Sequence, residues 1–349
     1  MEIKRNTQYA KRNTQNKFGR IGVLMGGPSA EREISLKSGK AVYEALKESG
    51  LEIVAIDVKT DTEEEIIGLI KTRNINCAFL ALHGRFGEDG QIQKILEMLK
   101  IPYSGSGVEA SRLAMDKIAS RLIFETNGLK VPKYAVIDKP RPSLEYKIML
   151  KEGRGKSSYN TNCKVYNNLG LPLVIKPATG GSSIGLSIID KEKDLDKAVD
   201  LAFSFDKKVI LEEYIAGREM TVGILDGRAL PVIEIIPKKM FFDYEAKYQP
   251  GLTTYMVPAQ IEERIAKKLR RAALSAHKLL GCFGCSRVDM ILNKDNLPVV
   301  LEINTIPGLT ETSLLPKAAK SEGIRFNELC LKLIKLAYEP RPSYGWEHR

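Results

Sequence analysis

The sequence predicts an α/β protein of two or three packed domains, and three observations carry that reading. Strands and helices alternate through the first hundred residues. A strand-rich middle then centres on a glycine-serine loop, and the last third runs helix, strand, strand, helices. At 349 residues the chain is also too long for one small core.

The first strand is Ile21-Gly-Val-Leu-Met25, a short run of buried type ending at Gly26 and Gly27. A helix should follow with Ser29 as its N-cap and Glu31 and Glu33 in its first turn, where carboxylates suit the positive helix end. Next come a strand at 51–58, a helix at 62–71, the apolar run 77–82 and a helix after Asp89. Strands and helices alternating at these lengths indicate a doubly wound parallel sheet. One helical stretch, 108–127, leads into a second region punctuated by Gly128, Pro132, Pro140 and Pro142, and 139–164 shows no clear periodicity. A strand at 173–176, the loop 180–185 and a returning strand at 186–189 form a hairpin. Strand patterns recur at 208–213, 219–225 and 229–236. The last third predicts a helix at 260–280, strands at 286–292 and 299–304, and C-terminal helices. These changes of pattern put domain boundaries near 105–110 and near 205–215.

Composition excludes some classes. The chain is 43% hydrophobic and 28% charged, without an apolar run long enough to span a bilayer or a signal-type apolar stretch at its N-terminus. It is expected in the cytoplasm, where the five cysteines (Cys77, Cys163, Cys282, Cys285, Cys330), odd in number and irregularly spaced, suit free thiols. The net charge of +11 invites a nucleic-acid reading. However, residues 1–20 hold six Lys/Arg against Glu2, and 139–164 hold seven against Glu145 and Glu152, so two stretches carry ten of the eleven excess charges. A nucleic-acid surface concentrates its charge on a folded face with aromatics interleaved. These stretches look like a tail, with Lys-Arg-Asn-Thr-Gln at 4–8 and again at 11–15, and an insertion.

The usual phosphate motifs are missing: there is neither a P-loop nor the glycine order of a dinucleotide fold. Gly180-Gly-Ser-Ser-Ile-Gly185 could cradle an anion with backbone N–H groups and two hydroxyls, and a tight hairpin turn explains it equally well. The strongest constellation is Arg287-Val-Asp289 followed by Leu301-Glu-Ile-Asn304-Thr-Ile-Pro-Gly308. Pleat alternation puts Arg287 and Asp289 on one face, and Glu302 and Asn304 on one face of the next strand. If the strands pair, two carboxylates, an amide oxygen and a guanidinium gather. That is a donor set for Mg²⁺ shared with phosphates, beside a cation that neutralises a transferring phosphoryl group. An exposed sheet face with surface salt bridges is the plainer reading, and Val, Met, Ile and Leu flanking the four groups weigh against it. Cys282-Phe-Gly-Cys285 has no second Cys/His pair and reads as structural. His277 is expected on a helix surface.

These motifs resemble the ATP-grasp fold, in which two α+β subdomains clamp ATP. Over residues 20–338 the chain is similar to the D-alanine–D-alanine ligases. Gly26-Gly-Pro-Ser-Ala-Glu31, His83-Gly-Arg-Phe-Gly-Glu-Asp-Gly90, Met115-Asp-Lys117, Gly181-Ser-Ser-Ile-Gly185, Tyr244-Glu-Ala-Lys-Tyr248 and Asn304-Thr-Ile-Pro-Gly308 occur in matched order. The resemblance implies a tail at 1–19, a substrate-binding domain at 20–107, a central ATP-grasp subdomain at 108–212 and a C-terminal one at 213–349. It implies ATP and two Mg²⁺ or Mn²⁺ ions as cofactors, D-alanine as substrate, a homodimer, and neither membrane nor nucleic acid as partner.

By the same resemblance, Glu31 and His83 would bind substrate, and Ser182 would hold both Glu31 and Tyr248 on a closing loop. Lys117, Lys176, Ser183 and Lys247 would take ATP phosphates. Glu212, Glu213, Tyr214 and Ile215 would form the adenine hinge, with Phe241 and Leu301 packed on the base and Glu219 on the ribose. Asp289, Glu302 and Asn304 would hold the metals, Arg287 and the Gly308 N–H the oxyanion, and Ser313 the second carboxylate. Lys94 departs from the family pattern, which has a small residue there; the tail and the insertion are extra. Two alternatives stay open: a sibling ligase taking D-lactate or D-serine second, with Tyr248 arguing against lactate, and a non-catalytic RNA-associated protein using the basic segments.

Overall fold

The structure is a computed structural model that describes residues 18–138, 148–152, 156–159, 169–237 and 253–341. Phe241, Tyr244, Lys247, Tyr248, Cys163, the tail to residue 17 and most of the insertion 139–164 lie outside the described residues.

β1 (Ile21–Gly26), β2 (Ile53–Val58) and β3 (Cys77–Leu80) form a parallel sheet in the order β2-β1-β3, with Ile21 beside both Ile53 and Cys77. Parallel neighbours need crossovers, here α1 (Arg32–Glu48) and α2 (Glu63–Arg73). The chain moves one way to β2 and back past β1 to β3, so right-handed crossovers must place the two helices on opposite faces. They do: Val23, Met25 and Phe79 pack with Val42 and Leu46 of α1, while Leu24, Ile56 and Leu80 pack with Ile66 and Ile70 of α2. α3 (Gln91–Met98) joins the second face, with Lys94 exposed and its Nζ 3.8 Å from Glu63 of α2. Reversing strand order opens a crevice beyond the carboxyl ends of β1 and β3. Glu31 and His83 stand there.

Ser29 is not the N-cap of α1. The cap position is Glu31, and the Ser29 hydroxyl donates to the His83 carbonyl (2.7 Å) and accepts from the Glu31 N–H (3.2 Å), tying the two strand ends together. The single helix expected over 108–127 is two, α4 (Val108–Met115) and α5 (Lys117–Thr126). Asp116 between them has extended backbone (φ −84°, ψ 99°), and its carboxylate accepts from the N–H groups of Ile118 and Ala119. A short acid that can cap a new helix competes with continuing the old one.

The middle sheet is antiparallel, in the order β6-β5-β4-β9-β7-β8. Its strands are β4 (Tyr134–Asp138), β5 (Ile148–Glu152), β6 (Lys156–Tyr159), β7 (Leu173–Pro177), β8 (Ser187–Ile189) and β9 (Lys208–Glu213). Within the insertion, the two described stretches thus extend this sheet. α6 (Leu195–Phe203), which the strand-rich reading does not anticipate, covers Leu173, Ile175, Val209 and Leu211 with Ala198, Val199, Ala202 and Phe203. The alternate residues Val174, Lys176 and Glu212 face away from it, into a cavity.

The C-terminal sheet runs β13-β12-β10-β14-β15, with β11 (Arg228–Ala229) beside β10. Its strands are β10 (Gly217–Leu225), β12 (Ile233–Pro237), β13 (Thr253–Met256), β14 (Cys285–Asn293) and β15 (Pro298–Asn304). α7 (Glu263–Leu279) lays Ile265, Leu269, Ala272, Ala273 and Ala276 on the face made by Met220, Val222, Val288 and Val300, the stripe of an amphipathic helix. His277 continues that stripe, four residues after Ala273, and so is buried rather than on the surface. Its Nδ1 meets the Ser286 hydroxyl at 2.7 Å, and burial, helped by the Lys278 charge, pulls the imidazole down to about 4. α4 and α5 also pack on this sheet; α8 (Leu314–Ser321) packs against β10 and α9 (Phe326–Leu336), and α9 in turn packs on α1 and β3 of the N-terminal sheet. Among the described residues no helix is long and apolar enough to cross a membrane.

Candidate active site

A cavity of about 360 Å³ opens between the middle and C-terminal sheets. Lys117, Lys176, Ser183, Glu212, Glu213, Tyr214, Ile215, Glu219 and Leu301 all line it, together with Asp289 and Glu302. Phe241 and Lys247, expected here too, lie outside the described residues.

The middle-sheet wall is cationic and buried. Lys176 Nζ sits 2.9 Å from Glu212 Oε1, and Glu212 Oε2 is ion-paired with Arg121 of α5. Burial pulls the Lys176 ammonium down to about 8 despite the Glu212 charge, with Arg121 adding to the fall. Burial alone would raise the Glu212 carboxyl, but Arg121 and Lys176 outweigh it and hold it below the ordinary carboxylate range. Lys117 reaches both walls, donating to the Gly180 carbonyl and lying 3.5 Å from Glu302.

The C-terminal wall carries the expected polar patch. β14 and β15 pair with Arg287 opposite Asn304 and Asp289 opposite Glu302, and an irregularity follows Asp289. Arg287 grips Asp289 with two bonds (2.9 and 2.7 Å), and Asp289 also accepts from Thr221 (2.7 Å) and, more loosely, Asn304 (3.3 Å). These four donors occupy both Asp289 oxygens, so Asp289 would take a cation by giving up one of them, Asn304 being the longest. Among the described residues no three His, Cys, Asp or Glu side chains gather as a closed metal cage. Two carboxylates and an amide oxygen at a cavity edge fit Mg²⁺, which completes its shell with phosphate oxygens and water.

A third group of residues lies at the mouth of the parallel sheet. The Ser182 hydroxyl bonds Glu31 Oε1, so the 180–185 loop touches the N-terminal domain. Ser182 and Ser183 both have positive φ (53° and 58°) and the Ile184 N–H returns to the Gly181 carbonyl, so the loop is a tight turn as well as a cavity wall. Glu31 is buried against two glycines: a Cβ at Gly84 (φ +74°) would meet its Oε2 at 2.6 Å, and one at Gly181 at 3.1 Å. His83 Nδ1 lies 3.0 Å from the Ile306 carbonyl, which can only accept, so Nδ1 carries the proton and Nε2 accepts from Ser38 (2.8 Å). These bonds tie the N-terminal domain to the loop after β15. On that loop Gly308 approaches Ser313, whose hydroxyl accepts from the Thr310 N–H (3.1 Å) and pairs with its hydroxyl (2.8 Å).

Three polar residues here were not singled out from sequence. Glu88, 3.6 Å from His83, is raised by burial and by Glu31, with His83 partly opposing; its place inside the His83 motif was the available signal. Arg121 follows Lys117 by one helical turn, a spacing that puts both on one face. Thr221 faces Asp289 only through strand pairing, which leaves no local mark. Cys282 and Cys285 are buried free thiols pushed up to about 12 by burial, as expected of structural cysteines.

Comparison with known proteins agrees over most of the chain. A family model described as D-ala D-ala ligase N-terminus matches residues 20–65 and 59–106, and one described as D-ala D-ala ligase C-terminus matches 125–335. The D-alanine–D-alanine ligase of Pelotomaculum thermopropionicum is 45% identical over 323 residues, covering 92% of this chain and 97% of the relative. The crystal structure of D-alanine–D-alanine ligase from Bacillus anthracis complexed with ATP has a TM-score of 0.76 at 34% identity, covering 91% of this chain and 97% of that one. The VanG D-Ala:D-Ser ligase from Enterococcus faecalis has a TM-score of 0.73 at 30% identity, covering 92% of this chain and 100% of that one. With both halves matched by family models and a relative 45% identical over 92% of the chain, this chain belongs to the D-alanine–D-alanine ligase family.

Proposed function

We propose that this chain joins two D-alanines at the expense of ATP, through a D-alanyl phosphate, to make the dipeptide used in cell-wall synthesis. The observation that carries the reading is the pairing of a buried cationic wall with a carboxylate wall across one cavity, with Ser182, on the loop whose neighbours Gly181 and Ser183 line it, bonded to Glu31. The carboxylate of the first D-alanine attacks the γ-phosphorus of ATP, and ADP leaves. The amine of the second, having lost a proton, attacks the acyl carbon, and phosphate leaves.

Lys117, Lys176 and Ser183, with Lys247, hold phosphates. Glu212, Glu213, Tyr214 and Ile215 take the adenine edge, Leu301 and Phe241 its faces, and Glu219 the ribose. Asp289, Glu302 and Asn304 would hold two Mg²⁺ or Mn²⁺ ions, which when bound supply charge neutralisation at the transferring phosphoryl group. Glu31 takes the ammonium of the first substrate. Ser182 with Tyr248 closes over it and excludes water, which would hydrolyse an acyl phosphate. Arg287 and the Gly308 N–H stabilise the tetrahedral oxyanion; His83 and Ser313 position the second substrate. The active form is a homodimer, which light scattering would check.

Phosphate release with ATP, Mg²⁺ and D-alanine, together with identification of the dipeptide, tests the reading. Phosphate release that does not depend on D-alanine would overturn it. Similarity to a solved D-Ala:D-Ser ligase makes D-serine the rival second substrate. Competing the two amino acids at neutral pH separates them, and D-alanyl-D-alanine should dominate.

A further inference from the structure

Arg121 is completely buried, yet it does not line the cavity. Its guanidinium carbon lies 5.4 Å from the centre of the Tyr134 ring, and its ion pair is with the far oxygen of Glu212. The near oxygen of the same carboxylate holds Lys176 at 2.9 Å. One carboxylate shared by two cations leaves this buried group one positive charge in excess, and Lys117 beside it is engaged with Glu302. Two of the arginine's nitrogens, Nε and Nη1, have no hydrogen-bond partner among the described residues. A guanidinium held that way is costly, and an apolar side chain of similar volume would pack the same space more cheaply.

Charge therefore accounts for the arginine better than packing does. Without it, Glu212 and Lys176 would form a neutral pair, each satisfying the other. With it, the carboxylate is divided, and the Lys176 ammonium has less than a full counter-charge and donors left for the cavity. An arginine suits the place: it stays ionised when buried and lies over an aromatic ring, where a lysine would lose its proton more readily. Helix geometry supplies it, since Arg121 lies four residues after Lys117 on α5, so one helix face delivers a cation to each wall.

We infer that Arg121 is a positioning residue for phosphate binding: acting through Glu212, it leaves the Lys176 wall with one positive charge in excess, which the polyphosphate of the nucleotide balances. The inference rests on the reading of the cavity as the ATP site. It goes beyond that reading by assigning a role to a residue that touches no ligand.

The test separates phosphate from base. Calorimetric titration of the full-length protein with ATP and with adenosine, wild type against Arg121→Met, should show ATP weakened by about tenfold or more and adenosine changed by less than about twofold. In turnover, KM for ATP should rise by a similar factor, with kcat and KM for D-alanine nearly constant. Arg121→Lys gives the same test should the methionine variant not fold. At this position, facing Glu212, Lys176 and Tyr134, the buried ammonium sheds its proton as pH rises, so the ratio of ATP to adenosine affinity should fall more steeply than in wild type between pH 7 and about 9. Equal loss of both probes in Arg121→Met, no loss of either, or an Arg121→Lys ratio that tracks wild type overturns the proposal. Wild type that fails to bind ATP overturns the nucleotide reading along with it.

Discussion

On the wall supplied by the middle sheet, Lys176 and Glu212 are buried and backed by a third charge, Arg121. On the facing wall, Arg287 and Asp289 keep 18% and 16% of their side-chain surface exposed and are backed by the neutral pair of His277 and Ser286. Buried charge interacts strongly and is expensive to rearrange, whereas charge in contact with water changes partner cheaply. The cationic wall is thus preset to hold an anion that stays. The acidic wall suits groups whose partners change during a reaction, such as a carboxylate that can trade an arginine for a cation.

The front of the acidic wall gives the largest test. Arg287→Ala should lower kcat by about 10²–10³-fold, the usual cost of losing an oxyanion donor, while ATP affinity changes far less. Equal losses in both would place Arg287 with the binding wall and erase the contrast. Its back gives the next. His277 has its ordinary 6.5 when unfolded and about 4 when folded, so between those values the unfolded chain takes up a proton the folded one refuses. That contribution to stability, about 3 kcal/mol at 1.36 kcal/mol per unit, is present in full above pH 6.5 and lost as pH falls towards 4. Urea unfolding at pH 7 and pH 4.5 should show it in wild type, and His277→Gln should lack that part of the drop. The cationic wall gives a smaller effect. Lys176→Met should raise KM for ATP about tenfold, the worth of one charge-assisted contact. In wild type that KM should climb as pH passes about 8, where the ammonium loses its proton; Lys176→Met should show no such climb. A climb that persists in the variant would assign it to another group.

Much of this site was legible in advance, and the illegible part has a pattern. Arg287, Asp289, Glu302 and Asn304 could be grouped because each pair is two residues apart on a strand, and alternation alone sets their face. Ser29 was misread because its competing acceptor, the His83 carbonyl, is 54 residues away. Asp116 broke a helix because its own side chain could cap the next, a local signal outweighed by the helical run around it. The stripe that buries His277 was present in the sequence, but a polar residue at its edge reads as surface until Ser286 is seen opposite.

Residue type and spacing therefore determined the strands, the helices, the face each side chain takes and the chemistry available on it, since backbone geometry within an element is local. Which faces meet was decided by tertiary packing. The lining of the cavity by two sheets, the division of Glu212 between Lys176 and Arg121, and the reach of Ser182 to Glu31 join residues tens to about 150 positions apart. Such contacts arise only when the hydrophobic faces beneath them are buried together, and burial is also what turns ordinary lysines and carboxylates into strongly coupled ones.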